Sequence, residues 1–273
     1  MTWFKKLLAC AVMILAMPCY GADFSHQVWD ELLQKHVHVL AGGGATQLDY
    51  RGVMAERKKL SSYLHALSGL SRKEFDSWSK NEQLAFLINS YNAWTVELIL
   101  SRYPELDSIK DLGSFFRSPW QRDFIPLFGE AVGLDHIEHN LIRGSNRYKE
   151  PRIHFAVNCA SIGCPALANQ AYAAKNLETQ LEQATVNFFS DSSRNYYRNG
   201  VLTISPIFKW YREDFERSWR GATSLQQFLA LYAQALNIED LDSGDVSKKL
   251  VAGKLEIKFS DYDWQLNDLR RGK

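Results

Sequence analysis

From Lys80 to Arg102 the chain reads KNEQLAFLINSYNAWTVELILSR, and no other stretch restricts the fold as strongly. Leu84, Leu87, Ile88, Tyr91, Trp94, Thr95, Leu98 and Ile99 recur at intervals of three and four, the spacing of one helix. Pro104 stops it, because proline removes a backbone donor and crowds the preceding turn. A helix apolar over so much of its girth belongs inside a core.

Elsewhere the patterns are shorter. Helices are expected over about 25–40, 53–67, 176–189 and 225–236, the last capped by Thr223 or Ser224. The glycines at 42–44 end the first and open a loop. Residues 123–134 read as a hairpin turning near Gly129-Glu130, and 201–205 and 255–259 as strands. Asp135 is placed to cap a short helix, DHIEHNLIR, over 135–143. Helices outnumber strands and do not alternate with them regularly. The expected class is therefore α+β, a helix-rich domain around the buried 80–102 helix with a small, mainly antiparallel sheet. No Pro/Gly/Ser-rich linker divides residues 23–273, which read as a single domain.

Residues 1–22, MTWFKKLLACAVMILAMPCYGA, have a different character. Lys5 and Lys6 precede an apolar run from Leu7 to Met17, and Pro18 and small residues follow. That order predicts a secretory signal cleaved near Gly21 or Ala22, and hence a periplasmic or secreted protein. The LLAC at Leu7–Cys10 resembles a lipoprotein box but falls before any apolar run is complete. Cleavage removes two lysines and no acid, so the net charge passes from +1 to −1. A balance so near zero gives no electrostatic reason to expect nucleic acid as a partner. No later run approaches the roughly 18 apolar residues of a membrane span, no cofactor is expected, and the sequence names no protein partner.

Only Cys159 and Cys164 remain after residue 22, in HFAVNCASIGCP (His154–Pro165). An apolar, strand-like run ends at Asn158-Cys159 and gives way to small residues. Backbone N–H groups at such a junction can stabilise a thiolate, the usual setting of a nucleophilic thiol. Two cysteines five apart in an exported chain also fit a disulfide that stiffens a turn. In DHIEHNLIR, His136 and His139 share a helical face with Glu138 adjacent. Two histidines without a third ligand are a weak metal pattern, so no metal is assigned. His139 fits the base of a thiol pair, with Glu138 orienting it. Asn89, Tyr91 and Asn92 interrupt the central helix, and buried amides there must find partners, for which the Cys159 loop is a candidate. FKWYREDF (208–215) and DYDWQLN (261–267) mix aromatics with Asp, which can line a sugar or peptide groove or form a ligand or partner surface, and which reads first as packed structural corners.

Taken together, AFLINSYNAW (85–94), IEHNLIR (137–143), HFAVNCASIGCP, IFKWYREDF (207–215) and YDWQLN (262–267) resemble the domain of unknown function 547 family, in the family's order. The resemblance implies a family and no activity. It implies that a cysteine at Cys159 is commoner than one at Cys164, where serine also occurs, which argues against an obligatory disulfide. His139 also matches the family pattern, and His154 less generally. Two functions follow as expectations. One is thiol-dependent acyl transfer or hydrolysis on an envelope peptide or amide. It uses Cys159 as nucleophile, His139 as base, Glu138 as orienter and a backbone N–H as oxyanion donor, supported by Asn89, Tyr91, Asn92, His154 and Asn158. The other is a non-catalytic ligand- or protein-binding domain with a structural Cys159–Cys164 disulfide.

Overall fold

The computed structural model describes residues 24–114, 117–238 and 242–272. The expected signal segment, 1–22, lies outside them. Helix α1 (Gln27–His36) leads directly into a hairpin of β1 (Val37–Val39) and β2 (Thr46–Leu48), and α2 (Tyr50–Ala55), α3 (Arg57–Gly69) and α4 (Arg72–Ser77) follow. The first helix stops earlier than its periodicity suggests. At Val37 the backbone turns extended, and the alternating valines pair with Thr46–Leu48. The glycine run then forms the hairpin loop, with Gly42 and Gly43 at positive φ.

Helix α5 (Lys80–Leu100) is the central helix. Its start is a capping box: Ser79 Oγ accepts from Glu82 N–H at 3.3 Å, and Glu82 Oε2 accepts from Ser79 N–H at 2.6 Å. Seventeen of its 21 residues are buried, so it is enclosed rather than amphipathic. No described helix is long and apolar enough to cross a membrane.

Past α5, β3 (Ile125–Leu127) and β4 (Glu130–Val132) form the expected hairpin. Residues His136–Arg143 wind as a wide π-type helix, in which Gly144 N–H reaches back five residues to the His139 carbonyl at 2.9 Å. Asp135 already has helical φ and ψ and makes no capping bond, so it is not the N-cap its sequence position suggests. The helix instead begins over the Gly133 carbonyl, which accepts from His136 N–H at 3.1 Å. The strand-like 154–158 run is also not a strand. Pro151–Phe155 form a 3-10 helix, and Asn158 then leads into a turn.

Helix α6 (Leu177–Ser190) precedes β5 (Tyr196–Arg198), β6 (Val201–Ile204), α7 (Ile207–Trp210), α8 (Arg212–Phe215), α9 (Leu225–Leu231, capped by Ser224), β7 (Asn237–Ile238), α10 (Ser243–Val251) and β8 (Glu256–Phe259). The strands form a four-stranded sheet in the order β7-β5-β6-β8. Its central pair is antiparallel and both outer pairings are parallel. Two apolar clusters result. One surrounds α5, and the other is an aromatic cluster of Phe155, Phe188, Phe189, Phe208, Phe215 and Phe228 between α6, the sheet and α9. Phe155 belongs to the second cluster and Ala156 and Val157 to the first. The chain therefore reaches Cys159 along the seam between them, anchored on both sides. With more helix than strand and sheets of two to four strands, the architecture is α+β.

Candidate functional site

The central helix fixes the Cys159 loop through its buried amides. Asn92 Nδ2 donates to the Ala156 carbonyl at 3.0 Å, and its Oδ1 accepts from Asn158 N–H at 2.8 Å. Asn89 makes the same two-way pair with the backbone of Tyr172 at 2.8 and 3.0 Å. Each side chain thus satisfies both an N–H and a C=O of a neighbouring backbone segment. Asn158 clamps the turn from within: its Nδ2 donates to the Pro165 carbonyl at 2.7 Å and its Oδ1 accepts from Ala160 N–H at 2.9 Å. Ala160 is held at φ +64°, a conformation costly for a residue with a Cβ. The 262–267 segment closes over the loop, with Gly163 N–H on the Asp263 carbonyl at 2.8 Å. A Cβ at Gly163 would come within 2.9 Å of that carbonyl and of the Tyr262 ring, so only glycine permits this approach.

The sulfur of Cys159 is surrounded by donors. The Ser161 and Tyr262 hydroxyls each lie 3.1 Å away, and Cys164 is adjacent, its sulfur accepting from the Cys159 N–H at 2.8 Å. Burial alone raises a thiol's pKa, but the surrounding hydrogen-bonding groups outweigh it and bring Cys159 down to about 7. Cys164 moves the other way. Burial and the adjacent Cys159 hold it protonated, as a donor. Burial and the Cys159 charge likewise keep Tyr262 protonated. Both cysteines are free thiols, so the structure does not contain the expected disulfide alternative.

Cys159 opens into a cavity of about 170 Å³ lined by Glu138, His139, His154, Trp210, Tyr211 and Tyr262, among others. The two histidines are held differently. His154 Nε2 lies 2.8 Å from Asp214 Oδ2. A carboxylate only accepts, so the proton is on Nε2 and Nδ1 carries the lone pair. That Nδ1 has no hydrogen-bond partner. Burial lowers the His154 pKa against the opposing pull of Asp214, which keeps the ring neutral. Asp214 itself is partly desolvated, but its bonds to His154 and Arg143 hold it well below the usual carboxylate range. The His154 ring stacks on Tyr211 with centroids 3.9 Å apart.

His139 is placed in reverse. Its Nδ1 accepts from Arg143 at 2.9 Å, and its Nε2 lies 3.7 Å from Asp135. Glu138 Oε1 is 3.9 Å from His139 Nδ1, beyond hydrogen-bond length, so the carboxylate does not orient this ring. Glu138 Oε1 is buried without a hydrogen-bond partner, and Tyr211 lines the cavity beside it.

The structure therefore brings Cys159, His139, Glu138, Tyr91 and His154 to one cavity and sets Asn92 and Asn158 behind the loop. It shows no hydrogen bond between Cys159 and either His139 or His154: the sulfur pairs with Ser161 and Tyr262, and His154 Nδ1 is without a partner. Asn89 supports the neighbouring Tyr172 segment, beside a second, larger cavity of about 360 Å³ that holds no cysteine. His136 does not line the Cys159 cavity, and no group of three or more His, Cys, Asp or Glu placed to hold a metal exists among the described residues. Asp214, Ser161, Tyr211 and Tyr262 were not foreseen as site residues. Of the two alternatives for the aromatic-acid segments the lining of a groove is the one observed, since they supply Trp210, Tyr211, Tyr262 and Trp264 to the cavity and Asp214 to His154. The available signal was an Asp and two Tyr among exposed-looking aromatics. The amides expected to bind an oxyanion are already engaged: Cys159 N–H donates to Cys164 Sγ at 2.8 Å, and Ala160 N–H to Asn158.

The family model described as "Protein of unknown function, DUF547" matches residues 75–189, from α4 through α6. No curated protein and no solved structure matches the chain.

Proposed function

We propose, from the premise that residues 75–189 are a DUF547-family region, that the chain is an exported thiol enzyme that transfers or hydrolyses the acyl group of an envelope peptide or amide. The family supplies no reaction, so the proposal rests on the site. The observation that carries it is the Cys159 sulfur: two neutral hydroxyls lie within hydrogen-bond distance of it inside a cavity that also holds a neutral, carboxylate-bound histidine.

His154 is the better base of the two histidines, because its free Nδ1 lone pair can accept a proton whereas that of His139 is occupied by Arg143. His154 Nδ1 takes the thiol proton, and the Cys159 sulfur attacks the acyl carbon. As the S–C bond forms, the carbonyl π electrons move onto oxygen. The sulfur loses its negative charge, which frees the Ser161 and Tyr262 hydroxyls to donate to the new oxyanion. Collapse breaks the bond to the leaving group, which departs with the proton from Nδ1. Water or a second acceptor then gives its proton to Nδ1 and displaces the thiol from the acyl group. Asp214 holds the tautomer throughout and is a positioning residue.

Alkylation with iodoacetamide, followed by peptide mass spectrometry across a pH series, tests the premise of a poised thiolate. The Cys159 rate is expected to rise with a midpoint at about 7, while Cys164 stays inert. Tyr262→Phe removes one donor and is expected to move the midpoint upward. A wild-type midpoint at or above that of an ordinary thiol, about 8.5, contradicts the proposal.

A further inference from the structure

Glu138 is a carboxylate in an unusual place. The residue is only 4% exposed, it lines the Cys159 cavity, and its Oε1 has no hydrogen-bond partner. Leaving a charged oxygen buried and unsatisfied is costly, so a site that keeps one is poised for a donor the isolated chain lacks. The surroundings specify that donor. Asp135 and Glu138 line the cavity and no Lys or Arg does. Arg143, on the same helix as Glu138, directs its donors to Asp214 and His139. The walls are aromatic, from Tyr91, Trp120, Trp210, Tyr211 and Trp264. Such faces attract cations, as the Lys110 ammonium 3.6 Å from the Trp264 centroid illustrates. Tyr211 joins this carboxylate to the reaction site, since it lines the same cavity as Glu138 and Cys159 and its ring stacks on His154 with centroids 3.9 Å apart.

We infer that Glu138 is the ammonium-binding residue of the site, so that the substrate is an acyl compound bearing a free amine, such as an aminoacyl group or the first residue of a peptide. This assignment of substrate rests on the acyl-transfer reading, in which Cys159 takes the acyl carbon of the same molecule. At about 170 Å³ the cavity lies below the usual range of roughly 300–1,000 Å³ for drug-sized ligands, which suits one residue-sized group rather than a long chain.

Equilibrium binding separates this inference from the catalytic one. Phenylalaninamide and its des-amino counterpart, 3-phenylpropanamide, are titrated into the protein at a pH where the amine is protonated. Tryptophan fluorescence is the readout, since Trp120, Trp210 and Trp264 line the cavity. The ammonium compound is expected to bind about tenfold more tightly, the order expected of a charge-assisted hydrogen bond. In Glu138→Gln that preference is expected to fall within about twofold, with circular dichroism confirming the fold. Equal affinities in the wild type, no binding by either compound, or a preference that survives Glu138→Gln each overturn the inference. The wild-type comparison decides by itself if the variant does not fold. A slow, ordinary Cys159 in the alkylation series removes the acyl-transfer reading without touching the binding result, so the two failures are distinguishable.

Discussion

Asp214→Asn is expected to slow acyl transfer from a simple activated ester by about 100- to 10,000-fold. The carboxylate accepts the His154 Nε2 proton at 2.8 Å and so leaves the lone pair on Nδ1. An asparagine that turns its N–H₂ toward the ring reverses this: Nε2 becomes the acceptor and Nδ1 carries the proton. The base then has no lone pair free for the thiol. Asp214 also meets Arg143 and, at 3.1 Å, Arg217, so a general loss of structure must be told apart from a tautomer effect. The alkylation midpoint of Cys159 does this. It is set by Ser161, Cys164 and Tyr262, and is expected to stay at about 7 while acyl transfer collapses. Parallel loss of both would assign Asp214 a merely structural part. The wild-type reaction is expected to fail on the acid side as His154 becomes protonated and can no longer take the thiol proton. Burial lowers the histidine's pKa, so its contribution to that limb lies below the ordinary 6.5.

The second large effect concerns stability. Arg152 is 1% exposed and precedes the site by two residues. Its guanidinium makes two bonds to Glu150, at 2.7 Å each, two to Glu178 at 2.9 and 2.6 Å, and one to Glu182 at 2.8 Å. It also lies 4.9 Å from the Trp219 centroid. Lysine cannot match this planar set of donors. Arg152→Met keeps the apolar stem but leaves three carboxylates facing one another, one of them, Glu150, largely buried. The expected loss is about 3 kcal/mol, at the low end for a broken buried pair because Glu178 and Glu182 reach solvent. Urea unfolding checks it. The pH dependence gives an independent sign. Arg152 lowers the Glu178 pKa, and Arg220 and Arg152 together lower that of Glu182 against its burial. Stability from depressed carboxylates is present above their unfolded pKa of about 4.5 and is lost as pH falls through the folded values. The gap between Arg152→Met and wild type is therefore expected to narrow in acid. A neutral substitution would show that the cluster holds nothing together.

The fold was legible where a single segment carried its own instructions. The 80–100 helix declares its spacing, its length and, in Ser79 and Glu82, its cap. The 125–132 hairpin and the 177–190 helix were equally local. What escaped was set by partners distant in sequence. Ile153–Val157 looks like a strand because it is apolar and partly β-branched, but it closes a 3-10 helix whose end pairs with the Asn92 side chain instead of a strand. The 135–143 helix winds wide where its periodicity reads as ordinary, and His139 meets Arg143, four residues on, rather than its sequence neighbour Glu138. Cys159 and its loop stood out because small residues and two cysteines are unusual together. Its partners did not, since Tyr262 is 103 residues away and Asp214 lies 60 residues from His154. No spacing rule spans such distances. Burial converts aromatic-acid segments that resemble solvated corners into the wall of a cavity.

The central claim is that Cys159 accepts an acyl group with His154 as its base. Incubation with p-nitrophenyl acetate, rapid acid quenching and peptide mass spectrometry test it most directly. The expected result is one acetyl group, on the peptide containing Cys159, formed faster than on an ordinary thiol and turned over with time. His154→Ala is expected to slow its formation by about 100-fold or more, with a smaller effect from His139→Ala. An unmodified Cys159, or acetylation spread over surface lysines at the same rate in wild type and His154→Ala, would contradict the account.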